Sequence, residues 1–550
     1  MVSEIKRAEW RFVILVTFGM LVVTSLPYVF GYLTAPDDRV FMGIVYGTPD
    51  TAQYFSWLRG FQDHFFIDNH LTPEPNERIF MNLQWWLLAQ LERTLHLSHA
   101  QVFQVFRALV IAAFAGITYW FIALYFPELK HRRTAFLIVQ IGSGVGWFWV
   151  VVKYLTHSPE VAFPFDLYTV EPNSFLSQMA FPHFTAAMVL IVLTFGLMMV
   201  AVRQQRWRYT IVASVTALIL GLSHAYDLLL VYPIVGLYVL WVWLRDGFSW
   251  RAFWQVLLLG VVSCWPAFYS VYMTSSRFPV WRAVLAQFGL AGAWTPDPFH
   301  LLFLLGLPFI IALMGFDGLV PLRKRSLPQL FVRGWFIANL FLVYLPVNFQ
   351  IHYLNGWQLP IAILATETLY NRLVPSVEKW SARSAQPLAR WLPVILVLIV
   401  MPTNLYLLAW RFVDLGRYQQ PYFIHRDEAA ALEWLADHAS TDQVVLCTPE
   451  LGQYVPGWTG ARSFLGHWAM TKDLYEKRAM ATAFFDVVTT DAERKAILSD
   501  FGVDYVLWGT AERALGRFDP SSASYLSPCF VAPEATVYCV QETSLAIPGP

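Results

Sequence analysis

Charge is what this sequence has least of. Its 550 residues include only 38 Lys or Arg and 38 Asp or Glu, 14 % in all, and the two signs cancel to a net charge of zero. Soluble globular chains carry about a quarter charged residues, and a nucleic-acid-binding surface needs an excess of positive charge, so neither class fits. Cysteine is scarce as well: four residues, none in a C-x-x-C pair, which argues against a structural zinc site. No glycine-rich phosphate loop follows the strand-like run at 443–447, so no nucleotide site is read there. Solenoid-type repeats and low-complexity tracts are absent from the sequence.

Apolar residues make up 57 % of the chain. They gather in eleven stretches, at 10–32, 104–126, 134–156, 183–202, 209–226, 227–245, 252–273, 299–317, 334–347, 359–374 and 391–411. A span needs about 20 apolar residues to cross about 30 Å of hydrocarbon. The ninth and tenth are the shortest. Every second connection is basic: Lys6, Arg7 and Arg11; Lys130, Arg132 and Arg133; Arg203, Arg206 and Arg208; Arg245 and Arg251; Arg323, Lys324, Arg325 and Arg333; Lys379, Arg383 and Arg390. Basic loops stay in the cytoplasm. The expectation is an all-α polytopic protein with its N-terminus inside and its C-terminal segment outside, in a cell inner (plasma) membrane. No small-residue cleavage site follows the first stretch, which reads as an uncleaved anchor. Trp10, Tyr28, Tyr32, Trp120, Trp147, Trp149, Trp391 and Trp410 sit at span ends, as interfacial aromatic belts do.

Two regions read as extramembranous. The first is the outer loop 33–103 within a membrane domain 1–414. Tyr54, Phe55, Leu58, Phe61 and Phe65 recur at helical spacing and predict a helix over 51–65. A second, aromatic helix is expected over about 79–95, and both read as interfacial. The second region, 415–550, reads as an extracytoplasmic α/β domain. It has helices at 428–439, 472–487 and 490–501 and strands at 443–447, 503–508 and 536–540. Thr490 and Glu493 form a capping-box pattern. Cys529 and Cys539 could close a disulfide between neighbouring strands in an oxidising compartment.

Asp50 leads the catalytic candidates. It lies at a helix start, one turn before Tyr54, where an Asp is also a favoured N-cap. Asp37 and Asp38 compete as members of a solvated turn. The outer loop between the third and fourth spans, Phe163 to Ser174, carries Asp166 and Glu171, and His183 heads the fourth span. His224 and Asp227 occupy a tight turn between spans five and six, where ionisable residues mark either function or a mutual hydrogen bond. Asp297 and His300 flank the eighth span; Asn348, Gln350, His352, Asn355 and Gln358 crowd the loop before the tenth. By topology these groups share the outer face, as a substrate pocket at the mouth of a helical bundle requires. A carboxylate there suits proton removal from an acceptor hydroxyl. His224, His352 and Arg462 suit a departing phosphate.

With these features the chain resembles the GT-C superfamily of polytopic glycosyltransferases that use polyprenyl-phosphate sugars. Pro49-Asp50-Thr51-Ala52-Gln53-Tyr54 is similar to that family's Asp–Glu–x–x–Tyr pattern, with Thr51 replacing the second acid. The resemblance implies Asp50 as general base; Tyr54, Glu171, His183, His224, Asp227, His352 and Arg462 are read as substrate-binding residues. Glu171 falls where some metal-using relatives place a second ligand. A divalent metal is therefore an option, but the missing acid at Thr51 counts against it, and no residue is assigned as a metal ligand. Ala461-Arg462-Ser463-Phe464-Leu465-Gly466-His467 resembles the outer domain of uncharacterised bacterial GT-C-like proteins. The implied activity is transfer of a hexose or pentose from a lipid-linked donor to a glycan, lipid or protein acceptor outside the cytoplasm. The rivals are a transporter or flippase of lipid-linked glycans, against which the absence of two related halves argues, and a glycan-binding scaffold.

Overall fold

The computed structural model describes residues 5–157, 167, 169–290, 293–319, 321–380 and 386–541. All eleven apolar stretches are helical. Among the described residues seven helices, including Arg7–Thr34, His99–Tyr125 and Pro182–Gln204, are long and apolar enough to cross a membrane. Leu129–Ile141 and Gly146–Thr156, bent by 46°, make an eighth if taken as one span. The fifth and ninth stretches form helices of 17 and 16 residues, Trp207–Ser223 and Leu327–Leu342. At 1.5 Å per residue they reach about 25 Å, less than the hydrocarbon thickness of about 30 Å. The tenth is a helix of 11 residues, Gln358–Thr368, that runs on through a π-turn at Leu369–Leu373.

The chain divides into two compact units. The first comprises Met1–Leu26, Gln104–Tyr269 and Ala293–Arg411 and holds most of the apolar helices. Its core runs through Tyr119, Ile122, Phe136, Met188, Ile191, Phe195, Val231, Trp335 and Trp357. Helix Pro298–Gly315 is broken at Gly306, whose φ of +70° is a left-handed conformation. A Cβ there would stand 2.9 Å from the Ser143 carbonyl oxygen and from Gly144 Cα, so only glycine permits this approach.

The second unit comprises Pro27–Phe103, Ser270–Gly292 and Phe412–Pro550. The division differs from the boundary expected at 414/415: the 33–103 loop belongs to the same unit as the C-terminal segment. Two features within the unit explain why. Strand β1 (Arg39–Phe41) pairs antiparallel with β2 (Phe423–His425). Helix Thr48–Phe61 packs on the short helix Val455–Thr459, where a Cβ on Gly457 would meet Phe55 Cβ at 3.2 Å. Phe55, Leu58 and Phe61 are fully buried in this packing. The apolar face expected to lie on a bilayer is thus covered by protein.

Five strands form the sheet of this unit: β3 (Val444–Leu446), β4 (Arg462–Ser463), β5 (Val503–Trp508), β6 (Leu526–Val531) and β7 (Thr536–Val540), in the order β4-β3-β5-β7-β6. β4, β3 and β5 run parallel; β7 and β6 are antiparallel additions. The strands expected at 503–508 and 536–540 are formed. The capping box of Thr490 and Glu493 is formed at the start of helix Asp491–Asp500. Cys529 and Cys539 are disulfide-bonded across β6 and β7. Residues 158–166 and Tyr168, including the candidate Asp166, lie outside the described residues.

Candidate functional site

The predicted site residues fall into one neighbourhood in each unit. In the second unit, helix Thr48–Phe61 begins behind Gly47, whose φ of +58° reverses the chain without a side-chain cap. Thr48 and Pro49 open the first turn, so Asp50 is its third residue and not the N-cap. The capping reading of Asp50 is therefore corrected: its carboxylate is directed away from the helix backbone. Oδ1 accepts hydrogen bonds from Nε2 of His467 at 3.3 Å and Nε1 of Trp468 at 3.1 Å. Among the described residues nothing bonds Oδ2, and the side chain is 36 % exposed. One turn later Tyr54 stacks on Trp85, with ring centroids 4.6 Å apart and an interplanar angle of 15°.

His467 was quoted in the sequence as part of a resemblance but given no role, and Trp468 was missed. The turn that carries them is tightly built. Nδ1 of His467 accepts the backbone N–H groups of Ala469 and Met470, both at 3.1 Å. The hydroxyl of Thr471 accepts the N–H groups of Gly466 and His467 and donates to the Leu71 carbonyl at 2.7 Å. Gln287, on helix Pro279–Leu290, donates to the carbonyls of Trp468, Ala469 and Thr471.

Arg462 is buried on β4. Its guanidinium pairs with Asp68 and donates to the carbonyls of Asn69 at 3.1 Å and Glu74 at 3.4 Å. None of its bonds reaches Asp50. His70 Nε2 lies 3.1 Å from the Asp68 carboxylate. Burial pushes the Asp68 carboxyl upward, but the His70 hydrogen bond and the charges of His70 and Arg462 outweigh it and hold the group well below the usual carboxylate range. Arg462 thus braces the 68–74 loop, which the sequence alone did not reveal. Asp37 and Asp38 flank β1, where their carbonyls accept from Arg426.

The first unit brings five predicted residues together: Glu171, His183, His224, Asp227 and His352. Asn173 caps helix Ser174–Ala180 by accepting from the Leu176 N–H, which fixes the turn holding Glu171. Pro182 then starts the next helix, where its missing N–H costs nothing. Glu171 Oε1 lies 2.5 Å from His352 Nδ1, and its carbonyl accepts from Gln358 at 2.5 Å. The rings of His183 and His224 are 5.4 Å apart, and Phe184 contacts His224 and His352. The Tyr226 hydroxyl is hydrogen-bonded to His224 Nδ1 at 2.8 Å, and its ring stacks on His352 with centroids 4.8 Å apart. Asp227 is fully buried with Oδ2 at 3.6 Å from His224 Nδ1, yet neither carboxylate oxygen has a hydrogen-bond donor among the described residues. The Tyr353 hydroxyl and both polar atoms of the Asn355 amide are likewise buried and unbonded.

Among the described residues no three His, Cys, Asp or Glu side chains group as ligands of a metal ion. Around Asp50 the residues do not fit one. His467 and Trp468 present N–H groups and not lone pairs, and the neighbouring position is Thr51.

No family model matches this chain, and neither does any curated protein. Solved structures do match. The apo oligosaccharyltransferase of Archaeoglobus fulgidus aligns with a TM-score of 0.55 over 96 % of this chain and 74 % of that one, at 13 % identity. The same archaeal enzyme, in complex with an inhibitory peptide and a dolichol-phosphate, gives 0.53 over 97 % and 75 %, again at 13 % identity. ArnT from Cupriavidus metallidurans gives 0.49 over 98 % and 100 %, at 14 % identity. At such identities the likeness is one of fold: this chain has the fold of the GT-C glycosyltransferases.

Proposed function

We propose that this chain is a multi-pass membrane glycosyltransferase of the inner membrane. It moves a sugar from a polyprenyl-phosphate-linked donor to an extracytoplasmic acceptor, with Asp50 as general base. The acceptor hydroxyl gives its proton to Asp50 Oδ2 as its oxygen bonds to the sugar's anomeric carbon. The bond from that carbon to the phosphate oxygen breaks, and the electron pair leaves with the polyprenyl phosphate. The observation that carries this reading is the Asp50 carboxylate, held by one oxygen and open at the other, in a chain with the GT-C fold. In the first unit, Glu171, His183, His224, Asp227 and His352 are proposed to recognise the donor's headgroup. Tyr54 is proposed to bind substrate. Arg462, whose guanidinium is engaged with Asp68, is proposed to shape the site and not to touch the ligand.

The test uses the full-length protein in lipid nanodiscs, supplied with an alkyl glycoside as hydroxyl acceptor and in turn with polyprenyl-phosphate mannose, glucose and arabinose, and measures acceptor-dependent release of polyprenyl phosphate. Asp50→Asn removes the proton acceptor, and a lost general base costs about 10²–10⁴ in rate. Melting temperature should barely move, since a first-turn carboxylate contributes only about 0.3–1 kcal/mol through the helix dipole. An Asp50→Asn variant as fast as wild type would return Asp50 to that minor role. Release from none of the donors by wild-type protein would remove the enzymatic reading.

A further inference from the structure

We infer that His467 and Trp468 are positioning residues for Asp50: their two N–H groups pin Oδ1 so that Oδ2 alone is presented to the acceptor. This rests on the reading of Asp50 as the base. The chain of cause begins with the backbone. The N–H groups of Ala469 and Met470 both point at Nδ1 of His467, at 3.1 Å, so that nitrogen is an acceptor and the ring proton sits on Nε2. The proton therefore faces Asp50. The same geometry stops His467 from being the base itself, because neither nitrogen offers a lone pair to a substrate. His467 is 2 % exposed, and the turn around it is fixed by Thr471 and Gln287, so the donor cannot swing away. Trp468 supplies the second donor to the same oxygen at 3.1 Å. A carboxylate free to rotate would offer either oxygen in many orientations. Pinned by one edge, it offers one oxygen in one direction, which is what a near-attack geometry demands.

Two substitutions at His467 separate positioning from folding. His467→Asn keeps an acceptor where Nδ1 stands, so the turn survives, but its amide cannot reach Asp50. His467→Gln keeps a donor where Nε2 stands but loses the acceptor. Positioning predicts that His467→Asn lowers kcat by about 10²-fold, the scale of a small misplacement of a catalytic group, with KM unchanged. His467→Gln should retain most of kcat with a lower melting temperature. Trp468→Phe, which keeps the ring and drops the N–H, should also lower kcat at constant KM. The measurement is polyprenyl-phosphate release from whichever donor of the panel above the wild type accepts. A merely structural role predicts the reverse at His467, with Asn near wild type and Gln impaired, and that result overturns the inference. If Asp50→Asn is inactive while His467→Asn and Trp468→Phe keep full kcat, the base stands and the positioning falls. If Asp50→Asn is fully active, both fall together.

Discussion

Within the first unit, two sets of buried charges are handled in opposite ways. In one set every charge is paired. Glu9 accepts from Arg132 at 2.9 Å, from Tyr119 at 2.7 Å and from the Lys6 N–H at 3.0 Å. Arg333 donates to Tyr125 at 2.7 Å, to Glu367 at 2.8 Å and to Asp317 at 3.3 Å. In the other set, around His183, His224 and His352, Asp227 is wholly buried with neither oxygen bonded, and Tyr353 and Asn355 leave polar atoms unbonded beside no compensating partner among the described residues. Burying an ion costs several kcal/mol unless good geometry offsets it. The first set meets that cost internally and acts as a brace between helices. The second pairs Glu171 with His352 but leaves Asp227, Tyr353 and Asn355 unbonded among the described residues, which keeps those polar groups open to a ligand.

The largest expected effect lies in the paired set. Arg333→Met should leave Glu367 without its cation, while Asp317 keeps Arg325 at 2.6 Å, and destabilise the protein by about 3–5 kcal/mol, the usual penalty for breaking a buried pair from one side. Thermal unfolding of the full-length protein in detergent reads this directly. A variant that melts with wild type would show that the network does not brace the helices, and the contrast with the histidine cluster would lose its first half.

A smaller effect extends the same contrast to the second unit, where Asp68 with Arg462 and His70 is another paired set. The Asp68 carboxyl, held well below its ordinary range by those partners against the upward push of burial, contributes stability that is fully present above its unfolded-state pKa. That contribution should be flat from neutral pH down to about 5 and fade as pH falls through about 4 and toward the lower folded value. Asp68→Asn should remove this acid-labile component, flattening the melting temperature against pH over that range. An unchanged slope in the variant would mean that the pairing is not what stabilises the 68–74 loop.

What the sequence made legible follows the range of the forces involved. Apolar runs, the aliphatic and aromatic run Val503 to Trp508, and the Thr490–Glu493 box are local signals, and the corresponding helices, strand and cap are formed. β6 was hidden because Pro528 and Ser527 interrupt its pattern, and β4 is two residues whose extended form comes only from its parallel pairing with β3. Asp50 was singled out from the sequence, but its environment was not. Its partner His467 lies 417 positions away. The local signal, Gly466-His467-Trp468, has meaning only once the turn beneath it is seen: a Cβ on Gly466 would lie 3.0 Å from the Gly452 carbonyl oxygen. The cap was misassigned because Gly47, in a left-handed conformation, starts the helix without a side chain. Arg462 read as a phosphate ligand because a cation in an outer segment shows nothing of the buried carboxylate that engages it.

Asp227→Asn should give the smallest change in stability and the clearest contrast. The substitution keeps the side chain's size and replaces a buried carboxyl that no donor among the described residues satisfies. His224 Nδ1 lies 3.6 Å away and is hydrogen-bonded to the Tyr226 hydroxyl. Exchanging an unsatisfied carboxyl for an amide of the same size breaks no hydrogen bond, so stability should hold or rise by about 1 kcal/mol, the size of a common stabilising substitution. Transfer from the polyprenyl-phosphate donor should nevertheless fall at least about tenfold, a loss of about 1.4 kcal/mol in transition-state stabilisation. Thermal unfolding and polyprenyl-phosphate release on the same preparation give both numbers. A stabilised but slow enzyme would place Asp227 among groups retained for chemistry. A variant that unfolds as readily as Arg333→Met would instead mean that the carboxylate braces its helix turn, and the two buried sets would be alike.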